Sequence, residues 1–227
     1  MTQKLTILFD LDGTLVDTAP DLVLAHNHVM KKFGYKTKTV DEIKSLVGMG
    51  ANSMMGKILW NTAKEELKKI NKKEVKDKMV TEFLNYYGNN ILVESKLING
   101  VKEFLTWCQK NKISMGVCTN KQEHLAIDLL KKIKINNFFE YVAGSNTFDY
   151  CKPDARHLTS VVEIMGGDVK KTIMMGDSEV DSMAAKNASV PFILLKDGYT
   201  SMKISDIQHD HLIKDFKNLD KIVENYL

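Results

Sequence analysis

An α/β fold, a parallel sheet with helices on both faces and a separate all-helical module inserted near its start, is what this sequence predicts. Three observations predict it. From Gly100 onward, short apolar runs of strand length alternate with helical patterns, which indicates a parallel sheet covered on both sides. Between Thr14 and Lys112 no convincing strand is expected, and that interval is several times longer than a crossover connection needs. Several apolar runs also stop at a carboxylate, a hydroxyl or a glycine turn, as they do where such sheets bind ligands at the carboxyl ends of their strands.

The run Leu5 to Phe9 reads as a buried strand ending at Asp10. Thr18 is placed to cap a helix with Pro20 in its first turn; Leu22, Val23, His26, Val29, Met30 and Phe33 continue at helical spacing, and Gly34 ends it. Helices are also expected over Val40 to Val47, Ala51 to Trp60 and Val75 to Tyr87. The second half predicts helix Val101 to Lys110, strand Ile113 to Cys118, helix Gln122 to Ile133 and a short strand at Tyr141 to Ala143. Then come helix Asp154 to Met165, strand Thr172 to Met175, helix Glu179 to Asn187, strand Pro191 to Leu195, a short strand at His211 to Ile213 and a last helix, Leu219 to Tyr226. This order sets Asp10, Thr119 and Asp177 on one rim. The lysines of Lys64 to Lys78 interleave with Glu65, Glu66, Glu74 and Asp77, which reads as a solvated helix surface more than as an anion-attracting patch.

With 227 residues, 44% of them hydrophobic, the chain suffices for one large domain or for a core with a smaller attachment. Its 32 basic and 29 acidic residues leave a net charge of +3, too little to argue for a nucleic acid or an anionic membrane as partner. Arg156 is the sole arginine, and Cys108, Cys118 and Cys151 have no zinc-site spacing, so a reducing cytoplasm is the expected setting. No signal-peptide pattern or membrane-length apolar run is read.

The chemistry concentrates at strand ends. Residues two apart in a strand share a side, so Asp10 and Asp12 should face one small volume. Two crowded anions call for a bound cation or a shared proton, unless they are simply the solvated turn of an Asp-Gly pair. Gly13 permits the turn, and Thr14 adds a hydroxyl and an N–H. Thr119 and Asn120 bring short donors suited to phosphate oxygens, and Lys152, before Pro153, can add positive charge. Asp177 can ligate a hard divalent cation such as magnesium. Asp181, one turn on, either orients Lys152 or a metal-bound water, or completes a capping box with Ser178. For His26 and His157 a packing or surface role is favoured over a catalytic one, and Met54, Met55, Ile58 and Leu59 read as core.

Phe9 to Asp17, Thr119-Asn120-Lys121, Lys152-Pro153 and Gly176 to Asp181 resemble the four ordered motifs of the haloacid dehalogenase-like phosphohydrolase superfamily. The stretches Asp17 to Leu22 and Leu46 to Ala51, with Gly198-Tyr199, resemble its phosphoglycolate phosphatases. The resemblance implies a Rossmann-like catalytic core in residues 1–15 and 88–227 with a helical cap in 16–87. It implies a Mg2+-dependent phosphatase in which Asp10 is nucleophile, Asp12 acid and base, and Thr119, Asn120 and Lys152 phosphate-binding groups. Asp10, the Asp12 carbonyl and Asp177 would hold the metal, Gly13, Thr14 and Asp181 would support them, and Gly48, Met49 and Gly50 of the cap would meet the substrate. That substrate is expected to be a small phosphorylated metabolite, 2-phosphoglycolate first, with a sugar phosphate or pyrophosphate as alternative. A phosphosugar mutase or a non-catalytic phosphate-sensing module fits less well, and the chain is expected to be a monomer or homodimer. Departures are Asp154-Ala155 after Lys152-Pro153, where a second proline is usual, Met49 in place of asparagine, and Ala188-Ser189 in place of Ala-Gly.

Overall fold

Residues 4–44, 46, 47, 50, 51, 54–56 and 72–227 are described by a computed structural model, and within them the apolar runs assemble as one sheet. In chain order the elements are β1 (Thr6–Phe9), β2 (Val16–Asp17), α1 (Ala19–Phe33), α2 (Val40–Lys44), α3 (Lys72–Asn89), β3 (Lys96–Leu97), α4 (Val101–Lys110) and β4 (Ser114–Cys118). They continue with α5 (Glu123–Lys132), β5 (Tyr141–Ala143), α6 (Ala155–Ile164), β6 (Thr172–Gly176), α7 (Glu179–Ala188), β7 (Phe192–Leu195), β8 (His211–Ile213) and α8 (Asp220–Val223). Six strands pair in the order β5-β4-β1-β6-β7-β8, and every pairing is parallel. β1 is central, with Leu8 level with Gly116 on one side and Met174 on the other.

Alternation along the strands divides the core. Ile7, Phe9, Met115, Val117, Ile173, Met175 and Ile193 join one apolar cluster, which includes Phe104 and Leu105 of α4. Leu8, Cys118, Met174 and Leu194 point the other way, into a cluster with Val161 of α6 and Ala184 and Ala185 of α7. Both faces are therefore dry, which is why these strands read as continuous apolar runs. At the carboxyl rim the ladder runs one residue past the strands: Asp10 N–H donates to Met175 O at 2.9 Å, and Thr119 N–H to Ala143 O at 2.9 Å. The residues that begin the loops are thus held as rigidly as strand residues.

Three expectations need correction. Strands do occur between Thr14 and Lys112: β2 and β3 pair antiparallel, Val16 with Leu97 and Asp17 with Lys96. Two residues per strand are too few for any periodicity to register. Thr18 does occupy the position before α1, but its side chain makes no capping bond; its hydroxyl donates to Asp12 Oδ1 at 2.8 Å instead. The helix expected to reach Val47 ends at Lys44, whereas Gly34, at φ 77°, closes α1 as anticipated. Most of the helix expected over Ala51 to Trp60, including Ile58 and Leu59, and the greater part of Lys64 to Lys78 lie outside the described residues.

Helices α1 and α3 pack together on the carboxyl-rim side, and the β2–β3 ribbon joins them to the sheet. His28 and Lys32 of α1 both meet Glu82 of α3, at 2.7 and 2.6 Å. A buried carboxylate fixes the base of this insert. Asp21 of α1 accepts the backbone N–H groups of Val93, Glu94 and Ser95 at 3.0, 2.9 and 3.0 Å, and the Ser95 hydroxyl at 2.6 Å. The chain entering the insert is thereby tied to the chain leaving it. Asp21→Ala should lower the unfolding free energy by about 3 kcal/mol, because three N–H groups and the buried Ser95 hydroxyl lose a charged acceptor. Urea unfolding measures it, and a loss below about 1 kcal/mol would contradict the assigned contribution.

Candidate active site

The loop after β1 is shaped by one carbonyl and one glycine. Leu11 O accepts from the N–H groups of Thr14, Leu15 and Val16, at 3.3, 3.0 and 3.1 Å, which curls the chain back over the strand end. Gly13 sits at φ +82°, and a Cβ there would fall 2.2 Å from Asp177 Oδ2. Only glycine therefore lets this loop touch the loop after β6. Thr14 completes the contact by donating its hydroxyl to Asp177 Oδ1 at 3.1 Å.

Lys152 is the hub of the buried charges. Its Nζ lies 2.7 Å from Asp10 Oδ1 and 2.6 Å from Asp181 Oδ1, with all three side chains at most one-tenth exposed. The Lys152-Pro153 bond is cis, and Asn120 Nδ2 donates to Lys152 O at 3.0 Å. Burial works against the Lys152 charge, but Asp10 and Asp181 outweigh it and hold the ammonium above its ordinary range. Burial raises the Asp10 carboxyl to about 6; Lys152 opposes the rise and Asp181 adds to it. Asp177 is raised well above the carboxylate range by burial and then by Asp181 and Asp10. These directions describe a cluster that holds more carboxylate than ammonium.

Asp10, Asp177 and Asp181 each offer an oxygen within 4.8 Å of the others. An all-oxygen set of this kind suits a hard divalent cation such as magnesium. Asp181 is the least available of the three. Its Oδ1 is taken by Lys152, and its Oδ2 accepts the Ser178 hydroxyl at 2.6 Å, Ser178 N–H at 3.1 Å and Asp177 N–H at 3.3 Å. Asp181 thus contacts Lys152 and completes the capping box with Ser178 at the start of α7. Asp10 and Asp177 keep lone pairs for a cation.

The Asp12 carboxylate stands apart from this group. Lys121 Nζ donates to Asp12 Oδ1 at 2.8 Å and Oδ2 at 2.9 Å, and to Tyr87 Oη of α3 at 3.0 Å. It also lies 4.4 Å from the Tyr87 ring centroid. Crowding of Asp10 and Asp12 is therefore relieved by two different lysines, one for each carboxylate. Thr119 is buried and accepts Lys121 N–H at 3.2 Å through Oγ1. Asp10, Asp12, Thr119, Asn120 and Lys121 form the floor of a cavity of about 310 Å³ roofed by the helical insert. Gly50 reaches that roof; a Cβ on it would sit 3.1 Å from Asn120 O. Gly48 and Met49 lie outside the described residues.

Lys121, Tyr87 and Tyr199 carry contacts that sequence reasoning did not assign. Tyr199 N–H donates to Asp177 Oδ2, and its hydroxyl donates to Asp17 Oδ1 while accepting Ala19 N–H at 2.8 Å. One side chain therefore spans from the acidic cluster to the first turn of α1. A Cβ on Gly198 would lie 2.1 Å from Asp177 Cβ, so glycine at 198 is what allows this approach. The Gly198-Tyr199 pair was a visible signal, as was Lys121 beside Thr119 and Asn120, but neither spacing names its partner. His26 and His157 are fully buried and do not line the cavity; burial, with Lys152 adding to it, lowers His157 to about 4. Packing is their role.

Comparison with known proteins agrees with the fold. Residues 7–195 match the family described as Haloacid dehalogenase-like hydrolase. A phosphoglycolate phosphatase of Agrobacterium fabrum is 39% identical over 212 residues, covering 93% of this chain and 89% of the relative. One from Caulobacter vibrioides is 36% identical over 216 residues, covering 95% and 89%. Among solved structures, one described as a predicted phosphoglycolate phosphatase from Haemophilus somnus superposes with a TM-score of 0.90 at 28% identity, covering 98% of this chain and 99% of the other.

Tyr199→Phe should cost about 1 kcal/mol of stability by leaving Asp17 and the Ala19 N–H without the hydroxyl. A double-mutant cycle with Asp17→Asn checks the link, since coupled losses are expected and strictly additive ones would show that the hydroxyl carries no bridge.

Proposed function

We propose that this chain, which belongs to the haloacid dehalogenase-like hydrolase family, hydrolyses 2-phosphoglycolate through a phosphorylated Asp10, with magnesium as cofactor and residues 16–87 as a cap over the site. The chain is a phosphoric monoester hydrolase; the substrate, the metal and the roles of individual residues are the proposal. The observation that carries it is Asp10, held at the end of β1 beside Lys152 in a cavity that also presents Thr119 and Asn120.

Asp10 attacks phosphorus, forming a carboxylate-oxygen to phosphorus bond as the ester bond to the alcohol breaks. Asp12 gives a proton to the departing alkoxide, then removes one from the water that cleaves the acyl phosphate. Lys121 and Thr18 keep the Asp12 carboxylate turned toward the cavity through both steps. Lys152, Thr119 and Asn120 hold the phosphate oxygens as charge spreads over them. Asp181 keeps Lys152 from swinging away from Asp10. Asp10, the Asp12 carbonyl and Asp177 would hold magnesium, which when bound supplies the positive charge that lets an anionic carboxylate meet an anionic phosphate. The helical roof excludes bulk water.

Phosphate release from 2-phosphoglycolate, with magnesium and after its removal by chelation, tests the reading; sugar phosphates and pyrophosphate run in parallel. The expected outcome is magnesium-dependent turnover with 2-phosphoglycolate preferred, and a preference for a sugar phosphate would displace the substrate while leaving the chemistry. Asp10→Asn should remove activity on every ester by at least about a thousandfold, and near-normal turnover would end the proposed mechanism. Asp177→Ala should raise the magnesium concentration needed for half activation; an unchanged titration would exclude Asp177 as a ligand.

A further inference from the structure

The two halves of the cavity differ in chemistry. Its floor is polar and belongs to the sheet's loops. Its roof comes from the helical insert, and among the described residues every side chain that roof contributes is apolar except Tyr87. The Tyr87 hydroxyl is already bonded to Lys121. Leu22, Met54, Val80, Phe83 and Leu84 form most of this roof, with Leu125 beside them from α5.

Lys121 is the single cation among the described lining residues, and both Asp12 oxygens hold it, at 2.8 and 2.9 Å. The described part of the roof thus offers a leaving group hydrocarbon to pack against. At about 310 Å³, the space also falls at the lower end of the range that holds drug-sized ligands, well beyond what glycolate fills. We infer that the enzyme takes a second class of substrate at this site, phosphomonoesters of uncharged alcohols with an apolar carbon skeleton, bound with phosphate on the floor and the skeleton against the roof. The inference rests on the phosphatase reading above and extends it to the leaving group. Phe83 and Leu84 of α3 are its specificity-determining side chains.

A series of methyl, ethyl, propyl and butyl phosphates separates the two levels, because the leaving alcohols differ little in acidity and only their apolar length changes. With the intact chain and magnesium, kcat/KM should rise about fourfold per methylene until the roof is reached. A flat or falling series, with 2-phosphoglycolate still hydrolysed, would overturn the inference and leave the phosphatase reading standing. Turnover of no ester at all would overturn both. Leu84→Lys provides an independent arm, since Leu84 is only half-buried and a lysine there would meet the leaving group. The ratio of kcat/KM for 2-phosphoglycolate to that for butyl phosphate should rise at least tenfold, and an unchanged ratio would contradict an apolar roof.

Discussion

The contact of Lys152 with Asp10 and Asp181, at 2.7 and 2.6 Å in a setting with almost no solvent, is the constraint on which the rest of the site depends. A buried ammonium is tolerable only when paired, and a buried carboxylate likewise. Each of the three residues stands on a different segment, the loop after β1, the loop before α6 and the first turn of α7. Their mutual neutralisation therefore fixes the spacing of three segments at once. Replacing one partner would leave the others as uncompensated buried charges, so the arrangement is maintained collectively. The sheet provides the backdrop: the three residues follow β1, β5 and β6, parallel strands of one sheet, and so come to one rim.

A second layer of contacts ties that rim to the helical insert. Lys121 links the Asp12 carboxylate to Tyr87, and Tyr199 links Asp177 to Asp17 and the start of α1. Asp21 then closes the base of the insert against residues 93 to 95. The insert is thus joined to the charge cluster through polar contacts, while the described side chains it turns to the cavity, apart from Tyr87, are apolar. Position and selectivity are carried by different residues of the same helices: Tyr87 anchors α3, and Phe83 and Leu84, on the turn before it, face the ligand space.

What could be read in the sequence follows the range of the interactions. Strands such as Tyr141–Ala143 and His211–Ile213 and the helix Val101–Lys110 are local events, set by apolar runs and their breakers, and their bounds were legible. Asp10, Thr119 and Asp177 were placed on one rim because each follows such a break, and Lys152 was singled out from the helix start that follows it. Lys121 was not, since its partner Asp12 is 109 residues away, and neither was Tyr199, 182 residues from Asp17. Spacing along a chain carries no signal for contacts made by folding alone. Thr18 shows the complementary error: a residue well suited to cap a helix is claimed by a nearby carboxylate, which local propensity cannot anticipate.

The charge count of the site argues for the proposed cofactor independently of family. Asp10, Asp177 and Asp181 converge beside Lys152, and Asp12 pairs with Lys121 at the edge of the site, so among the described residues two lysines face four carboxylates. Lys121 is engaged by Asp12 and Lys152 by two acids, which leaves the Asp10 and Asp177 side of the cluster with excess negative potential. Burial raises both their carboxyl groups, and the neighbouring acids add to the rise. A phosphate monoester would bring still more negative charge to the same place. Protonating the acids would relieve the repulsion but would also quench Asp10 as the proposed nucleophile. A divalent cation held by Asp10 and Asp177 would relieve it while leaving that carboxylate ionised, and this is the physical reason to prefer a metal-assisted reading over a shared proton.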